Sequence, residues 1–314
     1  MIEQNSLMMW FLAMGHSNSR IRHVMIVAKN KHLEAAMALL GTKKHRAQSL
    51  LQTLSIRPSD TYRFIAQQDD TIEAAVLVVM NKGATATILA TEPTSDVHVN
   101  AVRSLIEESI EGLNGSGCSI AQAILPVDAE PFALAYSKAG FEYLATLKYM
   151  ERKRSSKLNV NHKCEAKFIP MTNQPDATLG SILLDTYEGS LDCPRIHGLR
   201  NIADIIQGHR GMAHYDPSLW SLAEVHGNIV GSLLLNAVPE SNCMELAYLG
   251  VAPAARGSGL GDAFVQRAIE QSNRRGFSKI TLAVDGDNLP AINLYSRWGF
   301  GETGRRLTMI CKLC

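Results

Sequence analysis

The chain has 314 residues, which at about 150 residues per domain points to two domains. Lysine plus arginine number 31 against 30 acids, a formal charge of +1; no bulk positive field exists to hold a nucleic-acid backbone or an anionic membrane, so neither is an expected partner. With 46% hydrophobic and 19% charged residues, the composition excludes a disordered or collagen-like chain.

Near the start, residues 7–14 form an apolar run far shorter than the ~20 residues of a membrane helix. The flank before it holds Glu3 and no lysine or arginine, unlike a signal peptide. Met8, Met9, Met14 and Met25 cluster here, and residues 1–21 are read as a disordered or non-native extension. The six cysteines, Cys118, Cys164, Cys193, Cys243, Cys311 and Cys314, are too sparse to staple so long a chain, and reduced thiols in a cytoplasmic protein are the expectation. Cys311 and Cys314 have C-x-x-C spacing but no second pair, so no metal is expected there.

Alternation and β-branched content predict strands at 75–79 and 85–89, a helix over 99–113 and a strand at 120–125. A Pro at a helix start, ten residues of helical spacing and a terminating Gly-Phe follow at 131–141. Residues 151–167 are polar and basic, a solvated connector between two more apolar halves. Residues 185–197 read as a polar helix and loop. Strands at 220–225 and 229–235 flank His226-Gly227-Asn228 as a hairpin, and 244–251 is a further strand. An apolar stripe of Leu260, Phe264, Val265, Ala268 and Ile269 marks a helix closed by Gly276, with a buried strand at 279–284 after it.

The segment from Glu130 through Pro131, Tyr136 and Gly140 to Phe141 aligns without gaps on Leu289, Pro290, Tyr295, Gly299 and Phe300, a constant offset of 159. Asp128 with Asp287 and Met150 with Met309 extend the match. Two copies at half the chain length describe a duplicated domain rather than a solenoid. The expected boundaries are 22–151 for the first domain, 152–166 for the linker and 167–314 for the second. Strands alternating with helices give each an α/β layered (α+β) architecture.

Between the strand at 244–251 and the helix at 260, Arg256-Gly257-Ser258-Gly259-Leu260-Gly261 form a glycine-rich turn after Pro253. Such a turn exposes backbone N–H groups at a helix N-terminus, where the dipole also favours an anion, and glycines let a pyrophosphate approach the main chain. A dinucleotide fingerprint would need glycine at Asp262, and a Walker A loop would need Lys and Ser/Thr after Gly261; both fail.

Arg256-Gly-Ser-Gly259-Leu-Gly261 resembles the R/Q-x-x-G-x-G/A signature of the GNAT-type N-acetyltransferase superfamily. Leu249-Gly250-Val251-Ala-Pro253 resembles that family's bulged fourth strand, and Asn288 to Phe300, with Asn293 and Tyr295, its closing helix. The match is dense over about 220–313 and reaches the first half only through the repeat, so the whole resembles a tandem pair of mycothiol synthase-like layout. The resemblance implies two mixed, mostly antiparallel sheets with helices on both faces. It also implies acetyl-coenzyme A as co-substrate, no metal, and an amine acceptor on a small molecule or a protein N-terminus.

By that resemblance Glu245 is the general base, directly or through a water, and Tyr295 the acid that protonates the departing thiolate. The residues from Leu249 to Val251, the turn from Arg256 to Gly261, Asn288 and Asn293 contact the coenzyme. Tyr187, Asp192 and Arg195 are candidate acceptor contacts. For each a plainer role stands beside it: Glu245 as a solvent-facing strand residue, Tyr295 as a core tyrosine, Asn288 as a helix cap. His197, His209 and His214 lack metal-ligand spacing. The offset of 159 lays the cradle over residues 97–102 and Glu245 over Ala86; no G-x-G occurs from Thr85 to Arg103. The first domain is therefore read as a scaffold shaping the acceptor pocket or an interface. A non-catalytic acyl-coenzyme A-binding or interaction protein is the competing reading.

Overall fold

A computed structural model describes residues 24–41, 44–67, 71–154, 164–211 and 214–313. The N-terminal extension, most of the connector and Cys314 lie outside the described residues. In the first half the elements run β1 (Val24–Ile26), α1 (His32–Leu40), α2 (Lys44–Ser55), β2 (Tyr62–Gln67), β3 (Ala75–Asn81), β4 (Thr85–Ala90), α3 (Asp96–Glu111), β5 (Ile120–Leu125), α4 (Glu130–Lys138) and β6 (Glu142–Lys153). The second half repeats the series as β7 (Lys167–Pro170), α5 (Asp176–Tyr187), α6 (Ile202–Gly211), β8 (Ser221–Val225), β9 (Asn228–Val238), β10 (Cys243–Val251), α7 (Leu260–Arg274), β11 (Lys279–Asp285), α8 (Leu289–Arg297) and β12 (Gly301–Lys312).

Local chemistry sets the boundaries. Helix α3 begins three residues before its apolar stripe because Ser95 caps it, Oγ accepting from the His98 amide. The β8–β9 turn puts His226 and Gly227 at φ 49° and 80°, the paired left-handed geometry of a two-residue hairpin. Gly140 and Gly299, at φ 92° and 80°, end α4 and α8 where a side chain would be strained. Helices cover both faces of each half. In the first, Phe64, Ala66, Leu77 and Val79 pack against α1 and α2, while Ile65, Val76, Val78 and Ile88 pack against α3 and α4.

All twelve strands join one sheet in the order β1-β2-β3-β4-β5-β12-β6-β11-β10-β9-β8-β7. Each half's final strand pairs with the other half's fifth: β12 lies antiparallel to β5, and β6 antiparallel to β11. The exchanged strands β6 and β12 pair with each other at the centre, where Arg306 sits opposite Leu147, its own repeat counterpart. The duplication is thus a reciprocal strand exchange about a pseudo-two-fold axis through that pair. The 159-residue displacement holds at both ends of β6 and β12. Among the described residues, only β4–β5 and β10–β11 are parallel pairs.

Candidate active site

The parallel pair β10–β11 is joined only from Cys243 to Glu245, opposite Lys279 to Thr281. Beyond Glu245 the strands part. The register against β9 also slips between Leu246 and Tyr248, a bulge at Ala247 that bends β10 away from its neighbour. The opening passes through the sheet. Its lining includes Asp192 of the α5–α6 loop on one face and Pro290, Leu294 and Tyr295 of α8 on the other. The cleft has a volume of about 560 Å³.

At its mouth lies the start of α7. Gly257 and Gly259 adopt φ 78° and 85°, and a Cβ at Gly257 would meet nothing within 4 Å, so the main chain there is open to a ligand. The Ala263 amide reaches back to the Gly259 carbonyl at 3.2 Å; the amides of Leu260, Gly261 and Asp262 precede the helix's own bonding and stay available to an anion. Leu249, Gly250, Val251, Arg256, Gly257, Gly259, Leu260, Gly261, Asn288 and Tyr295 all line the cleft, as does Asp192.

Several sequence-predicted residues take other positions. Arg256 spends its guanidinium on the carbonyls of Val251, Gly189, Thr186 and Glu188. It clamps the C-terminus of α5, where a cation also suits the helix dipole. Ser258 turns its hydroxyl to the Ala255 carbonyl at 2.7 Å. Asn288 caps α8, its Oδ1 accepting from the Ala291 amide at 3.3 Å. Asn293 is exposed and outside the cleft lining. Tyr187 lies behind the wall, stacked on His197 at 4.6 Å between centroids, and burial pushes its hydroxyl up to about 12. Arg195 points outward to Glu142 at 2.7 Å, both side chains more than half exposed.

Asp192 is the acceptor-side candidate that reaches the cleft. Its Oδ1 accepts the Asp285 amide at 3.1 Å, and Asp285 Oδ2 accepts the Cys193 amide at 3.1 Å, a reciprocal clasp fixing the loop over the end of β11. Burial raises the Asp192 pKa, and its charge raises that of Tyr295 nearby.

Tyr295 and its repeat counterpart Tyr136 differ in one respect. Tyr136 is fully buried and donates to the Ile88 carbonyl at 2.8 Å. Tyr295 has no hydrogen-bond partner among the described residues and lines the cleft, with its pKa raised first by burial. Where β4 keeps a carbonyl in reach of Tyr136, β10 bulges and parts from β11.

Glu245 stands just before the splay, on the α6 face of the sheet and outside the cleft lining. Burial raises its carboxyl, opposed by the Asn236 amide across the β9–β10 ladder. Asn236 takes a 3.5 Å hydrogen bond from Trp220 Nε1, while its buried Nδ2 has no partner at full hydrogen-bond length.

Two contributors escaped the sequence reading. Tyr149 of β6 lies close enough to Glu245 for the carboxylate to raise its pKa, after burial and against Arg306; it reaches the second half only through the strand exchange, which no spacing announces. Asp262 accepts from Trp298 Nε1 at 2.8 Å and from Arg297 at 3.2 Å, tying the start of α7 to the end of α8. Its place in the glycine-rich motif was the available signal. The register corrects one correspondence: Glu245 pairs with Thr281 as Thr87 pairs with Gln122, so the first-half counterpart of Glu245 is Thr87 rather than Ala86. The three histidines stand apart: His197 on Tyr187, His209 against Trp220 and His214 on Glu240.

Residues 183–300 match the family model described as acetyltransferase (GNAT) family. A mycothiol acetyltransferase of Beutenbergia cavernae is 40% identical over 93 residues, 29% of this chain and 31% of that protein. One from Streptomyces bingchenggensis is 34% identical over 95 residues, covering 30% and 31%. The chain thus matches about a third of the length of each of these relatives. Among solved structures, a GCN5-related N-acetyltransferase from Sphaerobacter thermophilus superposes with a TM-score of 0.61 at 14% identity, over 92% of this chain and 95% of that one. A tandem GNAT protein from the clavulanic acid biosynthesis pathway gives 0.52 at 14%, over 92% and 98%. Residues 183–300 thus match the acetyltransferase (GNAT) family model, in a chain whose fold is similar to that of a tandem GNAT protein.

Proposed function

We propose that the protein transfers an acetyl group from acetyl-coenzyme A to an amine. The observation that carries this reading is the through-sheet opening, which starts directly after Glu245 and ends on the bare amides at the head of α7. Those amides and the open backbone at Gly257 suit the coenzyme pyrophosphate, and the parted edge of β10 suits the pantetheine arm. The main-chain amide near Leu249 or Val251 polarises the thioester carbonyl. Glu245, its carboxyl pKa raised by burial, accepts the amine proton directly or through a water. Tyr295, its hydroxyl unspent, gives a proton to the departing thiolate. The relatives named mycothiol acetyltransferase favour a small-molecule amine over a protein N-terminus.

The test is thiol release from acetyl-coenzyme A across a panel of small amines and short peptides, alongside calorimetric titration with the coenzyme. Turnover with an amine supports the proposal. Coenzyme binding without turnover on any amine would leave an acyl-coenzyme A-binding protein, and no binding would remove the cradle assignment.

A further inference from the structure

A second cleft of about 600 Å³ lies between the two halves, lined by residues of both. It opens on the same face of the continuous sheet as Glu245. The register carries that face from Gln122 to Ile310 of β12, and Ile310 packs with Ile196 and Leu199 of the α5–α6 loop. The frame is rigid. A Cβ on Gly83, in the β3–β4 turn, would come within 2.6 Å of the Gly208 backbone in α6, so main chain meets main chain and fixes the gap.

Arg57, Lys82 and Arg200 converge on this cleft, and no Asp or Glu is among its described lining residues. Arg57 donates through Nη2 to the Met80 carbonyl at 2.8 Å and Asn81 Oδ1 at 3.2 Å, leaving a buried Nε without a partner. Arg200 donates Nη1 to the Gly83 carbonyl at 3.1 Å; it senses Asp204 and Tyr187 but forms no ion pair among the described residues. Lys82 likewise makes none. His209, on the wall, keeps a buried Nδ1 with no described partner. Burial and then Arg200 hold its pKa down to about 4, so at neutral pH it is an uncharged ring with hydrogen-bonding capacity unspent. The floor is polar: Asn81 and Gln122 both donate to Thr87 Oγ1, at 3.0 and 3.2 Å.

Gathering three cations with no carboxylate among the described lining residues is unfavourable. Guanidinium groups with free edges match the planar oxygens of carboxylate and phosphate. We propose that the inter-half cleft binds a small anion, a carboxylate or phosphate group, through Arg57, Lys82 and Arg200. One aromatic layer separates it from the coenzyme cleft, since the His209 ring lies 5.7 Å from that of Tyr248, which lines the latter. The site is therefore suited either to an anionic tail on the acceptor or to a separate anionic ligand. It does not depend on the catalytic assignment.

The experiment titrates inorganic phosphate and succinate by calorimetry and thermal shift, with and without saturating coenzyme A, in the wild-type protein, Lys82→Gln and Lys82→Gln/Arg57→Gln. Lys82 makes no described hydrogen bond, so its variant should fold unchanged. The expected result is anion binding in the wild type that weakens about ten-fold in Lys82→Gln and further in the double variant, whether or not coenzyme A is present. Absence of anion binding in the wild type, or equal affinities in all three proteins, would overturn the proposal. Because these substitutions touch only the second cleft, failure of the coenzyme titration alone leaves the comparison intact. In the thiol-release assay, phosphate competing with carboxylated or phosphorylated amines assigns the anion to the acceptor; phosphate altering kcat with neutral amines assigns it to a separate ligand.

Discussion

At the scale of single residues, the duplication supplies an internal control. Tyr136 and Tyr295 occupy matching positions, yet the first spends its hydroxyl on the Ile88 carbonyl and the second spends it on no described residue. Tyr295→Phe should therefore lower kcat about ten-fold or more with little change in KM for acetyl-coenzyme A, the pattern of a lost transition-state proton transfer. Tyr136→Phe should leave kcat unchanged and cost stability of about 1 kcal/mol, read by urea unfolding, because a buried carbonyl loses its donor. For Glu245, burial lifts the carboxyl above its ordinary 4.5. As a base it works only when ionised, so kcat/KM should rise with pH through that raised value. Glu245→Gln should flatten this limb and cut the rate about a hundred-fold. Stability runs the opposite way. The folded state holds the proton more tightly than the unfolded chain, so this contribution is complete below 4.5 and lost as pH climbs through the folded pKa.

At the scale of elements, the cradle is braced by side chains on its own lining. Arg256 bolts the end of α5 to the turn before α7, and Asp262 bolts the first turn of α7 to α8 through Trp298 and Arg297. Arg256→Ala should lower stability by only about 1 kcal/mol, since the side chain is exposed. It should also weaken coenzyme binding measurably by calorimetry, because the loop carrying Asp192 and the α7 turn lose their shared anchor. Sequence reading located this turn from its glycines. The resemblance implies a coenzyme contact at Arg256; in the fold its guanidinium meets carbonyls at the end of α5, nearly seventy positions away in sequence, while the residue still lines the cleft.

At the scale of the whole molecule, the two halves are not separable beads. Removing β12 would strip β5 of one of its two neighbours, leaving only β4, and β6 of its neighbour at the centre. Residues 1–154 and 164–314 expressed apart should each fail to give a cooperative unfolding transition, whereas coexpression should yield a complex with wild-type circular dichroism. Independent folding of either piece would show that the exchange is dispensable. The exchange also places Tyr149 beside Glu245, and the docking of Gly83 against Gly208 creates the inter-half cleft. The first half therefore delivers a side chain, Tyr149, to the second.

The sequence by itself determined the duplication, the order of elements from β3 to α4 and from β8 to α8, and the glycine-rich turn before α7, because helical spacing, strand alternation and glycine placement are short-range properties that residue order encodes directly. Tertiary structure alone decided which strand pairs with which, since β6 and β12 stand at matching repeat positions and their pairing with β11 and β5 is a long-range contact. It likewise decided where long polar side chains spend their hydrogen bonds. Arg256, Tyr136 and Asn288 each found a backbone partner, and competition among such partners depends on distances that only the folded chain sets.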